Sequence, residues 1–183
     1  MNDAFVPPRR RFLRHAGAFA AGGGLLSTRA RAAVPGARQV AMVHTHTHER
    51  IDAVYAGEQG YRPQALGALN HFLRDHYTGE VGVIDPGVFE LLYRVQREFG
   101  GTRTFEVISG YRCPATNGRL RETRGGGVAR HSLHMEGRAI DVRLPGVSLA
   151  DLRDAALSLR VGGVGYYPRE QFVHLDTGRV RSW

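Results

Sequence analysis

The sequence predicts a single α+β domain. Three observations carry that prediction. Two helical stripes come first, over residues 63–77 and from Asp85-Pro86 to Gly100. Strand-like segments follow, crossed by one further helix. Two of those segments, around Asp141 and around His174, set one polar residue between apolar neighbours, as a strand with one buried face does. A chain of 183 residues has room for one such domain and a core that folds without staples.

The elements follow in order. Residues 33–39, with Pro35 and Gly36, read as a tether. Val40 to Val54 alternates loosely and reads as a hairpin of two strands. It places His44, His46 and His48 on one strand face. Three alternating histidines can bind a metal, but no carboxylate cluster accompanies them, and a solvent-facing strand is the favoured reading. Leu66, Leu69, Phe72, Leu73 and His76 give a helical stripe that starts at Pro63. Asp85 caps the next helix with Pro86 at its first position, and Gly100-Gly101 ends it. Phe105 to Ile108 is a short strand that ends at Ser109-Gly110-Tyr111-Arg112. Arg119 to Arg130, basic and Gly-rich, reads as a flexible loop near a site mouth. Ala139 to Leu144 is a strand, Ser148 caps a helix through Leu159, and Gly162 to Tyr167 leads into the strand Phe172 to Asp176.

The first 32 residues read as an export signal. Arg9-Arg10-Arg11-Phe12-Leu13 is followed by a weakly apolar run to Leu26 and by Arg29-Ala30-Arg31-Ala32. Paired arginines before Phe-Leu resemble the twin-arginine consensus, and cleavage after Ala32 fits best. The apolar run is too short to span a bilayer, which takes about 20 residues. The expected organisation is a signal over 1–32 and one domain over 33–183, a monomer in the periplasm with no stable membrane insertion. All 25 basic residues are Arg, and the formal charge is +8. Residues 1–32 hold six Arg and one Asp, so the remainder carries +3. No basic face with interleaved aromatics is left for nucleic acid. Cys113 is the one cysteine, which excludes an intramolecular disulfide; it reads as structural.

The segment Ser132-Leu133-His134-Met135-Glu136-Gly137-Arg138-Ala139-Ile140-Asp141 carries chemistry. A bend at Gly137 lets His134 converge with Asp141. His174 stands between Val173 and Leu175 and points opposite to them. Two His and one carboxylate with an open fourth position make the ligand set of a catalytic zinc. The same residues can also be ordinary strand polars, with Asp141 paired to Arg143 or Arg138.

The stretch Ser132 to Asp141 resembles the Ser-x-His-x-x-Gly-x-Ala-x-Asp signature of the zinc D-Ala-D-Ala peptidases. Ile108 to Arg112, Gly162 to Arg169 and Phe172 to Gly178 resemble more closely its branch of twin-arginine-exported murein endopeptidases. The resemblance implies a hedgehog-like fold, with a small antiparallel sheet carrying the site and helices packed on one side. It implies Zn2+ held by His134, Asp141 and His174, with Arg112 as the cation near the substrate carbonyl. It also implies hydrolysis of peptidoglycan peptide cross-links, D-Ala–diaminopimelate or diaminopimelate–diaminopimelate.

One departure concerns the general base. Many relatives have an acid three residues before the last zinc His, where this chain has Gln171. His131, Asp176, Glu170 and Glu136 are the candidates, and histidine ordinarily titrates near neutral pH. Gln171 also motivates the alternative of a non-catalytic wall-binding domain; a carboxypeptidase on free muropeptides is the other alternative.

Overall fold

The computed structural model describes residues 35–123 and 127–183. The signal reading, residues 33–34 of the tether, and Arg124-Gly125-Gly126 of the loop lie outside the described residues. The described chain is α+β, with one sheet of eight strands and four α-helices. The strands are β1 (Arg38–His44), β2 (Arg50–Gly57), β3 (Gly60–Tyr61), β4 (Thr104–Ser109), β5 (Ala139–Arg143), β6 (Gly163–Tyr167), β7 (Phe172–Asp176) and β8 (Arg181–Ser182). The helices are α1 (Pro63–Phe72), α2 (Pro86–Glu98), α3 (Pro114–Thr123) and α4 (Leu149–Leu159). Strand order is β3-β2-β1-β4-β5-β7-β6-β8.

The sheet is therefore larger than the small one expected, and it is mixed. β1 runs parallel to β4, and β6 parallel to β8. A parallel pair needs a long crossover, which α1 and α2 supply between β1 and β4. One core unites the sheet with its helices: Val40 and Met42 of β1, Ile140 and Val142 of β5, and Val173 and Leu175 of β7 pack with Val88, Leu92 and Val95 of α2 and Leu152 of α4. Alternation then turns Asp141 and His174 to the opposite face. Helices are not confined to one side, because α3 borders the groove on that opposite face through Thr116 and Leu120.

The two expected caps are present. The Asp85 carboxylate accepts from the Gly87 N–H at 2.8 Å, and the Ser148 hydroxyl accepts from the Asp151 N–H at 3.1 Å. Three readings need correction. α1 stops at Phe72 rather than reaching residue 77, because the Asp75 carboxylate accepts the Tyr77 and Thr78 N–H groups and stabilises a turn there. The stretch after Cys113 is helical up to Thr123, with Pro114 at its first position, so only its end is loop. Gly162 to Tyr167 contains a strand, β6, and not merely a lead-in.

His44, His46 and His48 do not share a strand face. β1 ends at His44, and the next residues form the turn to β2, with His48 at a positive φ of 59°. His44 is fully buried, so the solvent-facing reading fails for it. Its Nδ1 accepts the His46 N–H at 3.2 Å. The His46 ring stacks on His76 with centroids 4.1 Å apart and an interplanar angle of 4°. Two parallel offset rings cannot both hold one ion in their planes, so this arrangement is not a metal site.

Candidate metal centre

The site forms where β5 and β7 pair side by side. Their register sets Asp141 opposite His174. His134 reaches them from the 3-10 turn Leu133–Glu136. Ser132 caps that turn by accepting the His134 N–H at 3.4 Å. Gly137 ends it in the left-handed region, at φ 65°. A Cβ at Gly137 would run into the carbonyl oxygen of Val83, so only glycine allows this bend. Arg138 N–H then bonds Leu133 O at 2.9 Å, and the chain enters β5.

Three ligand-type atoms converge. His134 Nε2 lies 3.2 Å from His174 Nδ1 and 3.2 Å from Asp141 Oδ1. His174 Nδ1 lies 2.8 Å from Asp141 Oδ1. Ligands about 2.0–2.1 Å from a tetrahedral ion stand a little over 3 Å apart, so the trio fits one zinc ion after a small expansion. Among the described residues it is the one His/Cys/Asp/Glu group close enough to hold a metal. The outer shell fits as well. His134 Nδ1 is 2.7 Å from the Gly110 carbonyl oxygen, so it carries the proton and leaves Nε2 free to ligate. His174 Nε2 is 3.2 Å from Asp176 Oδ2, which leaves Nδ1 for the metal.

The electrostatics agree. Burial opposes ionisation of Asp141, but the charge and hydrogen bonds of His134 and His174 outweigh it and hold the carboxyl below the usual carboxylate range. Burial depresses His134. His174 is raised to about 9: burial opposes this, and hydrogen bonds to Asp141 and Asp176 overcome it. Without metal, the shared proton therefore sits on His174, between two carboxylates.

The cluster opens into a groove of about 770 Å³. β4 and β5 change register between Val107 and Ser109, which pairs Ser109 with Asp141 and lets the following segment leave the sheet beside the site. Arg112 lies in that segment. Its Nη2 is 3.8 Å from Asp141 Oδ2, and its backbone N–H donates to His134 O at 3.2 Å. Asn117, buried on α3, lies 3.5 Å from Arg112 Nη1 and donates to Ala129 O at 3.1 Å, tying the arginine to the loop that walls the groove. His46, His76, Tyr77, Tyr167, Phe172 and Trp183 also line the groove.

The candidate bases separate in space. His131 and Glu170 line the groove. Asp176 does not; it is fully buried behind His174. Its oxygens accept from the Gly163 and Gly178 N–H groups, from both Arg181 Nη atoms and from His174. A base role for Asp176 does not suit that position. Glu136 pairs with Arg138 away from the groove. Gln171, at φ 60°, donates to the Pro168 carbonyl. Cys113 is buried and accounts for no groove surface. Reasoning from sequence missed Asn117, Arg181 and Trp183. The only signal for the last two was a short polar stretch after Asp176 that gave no strand pattern.

Asp141 and His174 on one sheet face, with His134 reaching them from the 3-10 turn, make a group that could hold one metal ion beside a groove. A family model described as Peptidase M15_2, peptidoglycan L,D-endopeptidase MepK, matches residues 32–183. The chain belongs to this metallopeptidase family. It is 44% identical over 183 residues to the peptidoglycan L,D-endopeptidase MepK of Escherichia coli K12, covering 99% of this chain and all of that protein. It is 39% identical over 158 residues to the probable peptidoglycan L,D-endopeptidase MepK of Haemophilus influenzae, covering 86% and 84% of the two chains. No solved structure matches.

Proposed function

We propose that this chain is an exported, zinc-dependent endopeptidase of hedgehog-like fold that hydrolyses peptide cross-links in peptidoglycan. The observation that carries the reading is the convergence of His134 Nε2, Asp141 Oδ1 and His174 Nδ1 at the floor of an open groove. The relatives' names specify L,D-endopeptidase action, which supports links between two diaminopimelate residues as the bond cleaved. The family model begins at residue 32, in line with a signal over 1–32 and a single peptidase domain over 33–183. Among the described residues, no helix is long and apolar enough to cross a membrane.

His134, Asp141 and His174 would hold the ion. The ion, when bound, would supply Lewis acidity for the hydrolysis of the scissile amide. Arg112, which lines the groove with Nη2 3.8 Å from Asp141 Oδ2, would stabilise the oxyanion, a contribution of roughly 3–4 kcal/mol for a well-placed donor. His131 serves as the proton-transfer group: it borders the groove three residues before His134. Asp176 is left with a positioning role.

The test is digestion of purified cross-linked peptidoglycan by residues 33–183, with and without chelator, beside His134→Ala. Loss of cross-linked dimers that both chelator and mutation abolish supports the reading, and product masses identify the bond. Intact dimers with zinc bound would instead favour a non-catalytic wall-binding domain, for which Gln171 is the motive.

A further inference from the structure

We propose that Asp176 is a positioning residue whose buried carboxylate fixes His174 to present Nδ1 to the metal and, through Arg181, holds Trp183 as a wall of the groove. The inference rests on the zinc site proposed above.

The geometry has three parts. First, Asp176 fills its acceptor capacity. Oδ1 accepts from Gly163 N–H at 3.0 Å, Gly178 N–H at 2.8 Å and Arg181 Nη1 at 3.1 Å. Oδ2 accepts from Arg181 Nη2 at 2.6 Å and from His174 Nε2 at 3.2 Å. Four of the five contacts come from fixed donors, and a carboxylate offers only acceptor oxygens, so the fifth contact calls for a protonated Nε2 on His174. The metal-facing atom is then Nδ1, which is the atom found beside Asp141 and His134. Gly163 has no side chain because a Cβ there would meet Asp176 Oδ2 and the Arg181 guanidinium.

Second, Arg181 takes the carboxylate with both terminal nitrogens, a fork that fixes its plane. Its Cζ lies 4.8 Å from the centroid of the Trp183 ring, a cation–π contact. Third, the indole is pinned from the other side. Trp183 Nε1 donates to Tyr167 Oη at 2.7 Å, and the ring stands with its centroid 5.4 Å from that of His174 while lining the groove. The metal ligand and the wall beside it are thus fastened to one anion. A side chain that merely closed the β7–β8 turn would need neither the His174 contact nor the Arg181 fork.

Three measurements test this. In the zinc-loaded wild-type chain, long-range 15N NMR of His174 should give a protonated Nε2 and a metal-bound Nδ1; metal on Nε2 overturns the proposal. Asp176→Asn turns an amide N–H toward His174 Nε2 and drives the ring proton onto Nδ1. Zinc affinity by chelator competition should fall about 10- to 100-fold, and the visible spectrum of the cobalt-loaded protein should change. Unchanged affinity overturns the proposal. Arg181→Met, which leaves the Asp176 carboxylate in place beside His174, should weaken zinc less than Asp176→Asn does and raise KM for cross-linked muropeptides severalfold with kcat retained. An unchanged KM overturns the link to Trp183. If Asp176→Asn does not fold, the wild-type spectrum and Arg181→Met decide. A wild-type chain that binds zinc and cleaves nothing refutes the proposed function, while the NMR and affinity arms still judge Asp176.

Discussion

Acid should destabilise this domain through His44, and the size of the effect follows from its surroundings. His44 is fully buried, and its Nδ1 accepts the His46 N–H, so the neutral ring carries its proton on Nε2. That Nε2 is buried with no hydrogen-bond partner. The ring packs edge-on against Phe72 and His76. Burial first, then the neighbouring His76 and His46, lower its pKa from 6.5 to about 4; Glu49 opposes weakly and Arg74 adds to the lowering. The unfolded chain therefore binds a proton at this position that the folded chain refuses between about pH 6.5 and 4. Stability is fully present above that window and falls as pH drops through it. Between pH 7 and pH 5 the linkage amounts to about 2 kcal/mol for His44 alone, or roughly 4–8 °C in Tm for a domain of this size. His76, lowered by burial and by His46, acts in the same direction. The test is urea unfolding of the metal-free protein at pH 7, 6 and 5, wild type against His44→Asn. Asparagine can still accept the N–H two residues on, as in an Asx turn, but it does not titrate. The pH-independent cost of the smaller side chain cancels in the comparison, as does the contribution of His174. The variant should lose about 2 kcal/mol less than wild type over this range. Parallel stability curves would refute the assignment of the acid sensitivity to His44.

Metal binding must displace the proton that His174, raised to about 9, holds between Asp141 and Asp176. Apparent zinc affinity should fall about tenfold per pH unit from pH 8 to pH 6, and a flat profile by chelator competition would count against Nδ1 as ligand. Asp141→Asn removes the only anionic ligand and should weaken zinc by about 100-fold or more, beyond what disturbing an outer partner costs; a zinc titration checks it. His131→Gln should lower kcat by at least ~100-fold with zinc retained, and Glu170→Gln should not; the reverse pattern would move the proton-transfer role to Glu170. Gly137→Ala strains a left-handed residue by about 1–2 kcal/mol. It also drives a methyl into Val83 O, for a total above ~3 kcal/mol that thermal melting would register as a fall of roughly 6–12 °C.

What the sequence disclosed of the site is what a period of two can disclose. Asp141 between Ile140 and Val142, and His174 between Val173 and Leu175, reveal their faces because burial on one side of a strand imposes alternation on the chain. The pairing of those two strands is a contact over 33 residues, and nothing local encodes it. The mixed order of the sheet was hidden for the same reason, since β1 meets β4 only after two helices have intervened. α3 escaped because Gly118 and its polar surface leave no apolar stripe, and its start is written only in Pro114. His44 and His46 alternate in sequence as strand residues do. The strand nevertheless stops at His44, because its ring and the turn satisfy each other through the His46 N–H.

Asp176 is the instructive case. Two residues beyond His174, it had to share the ligand's face of β7, and a carboxylate there reads naturally as a base. Its depth is set instead by parts far along the chain. The Gly163 amide on β6 and the Arg181 fork on β8 close over it and leave it fully buried. An acid enclosed by five donors is held ionised, below the usual carboxylate range, by His174 and Arg181 despite its burial. Held in that state and away from the groove, it cannot exchange a proton with substrate. It can orient the imidazole that touches the metal. Position on a face was legible from the sequence, and the chemistry of the residue was decided by what covers that face.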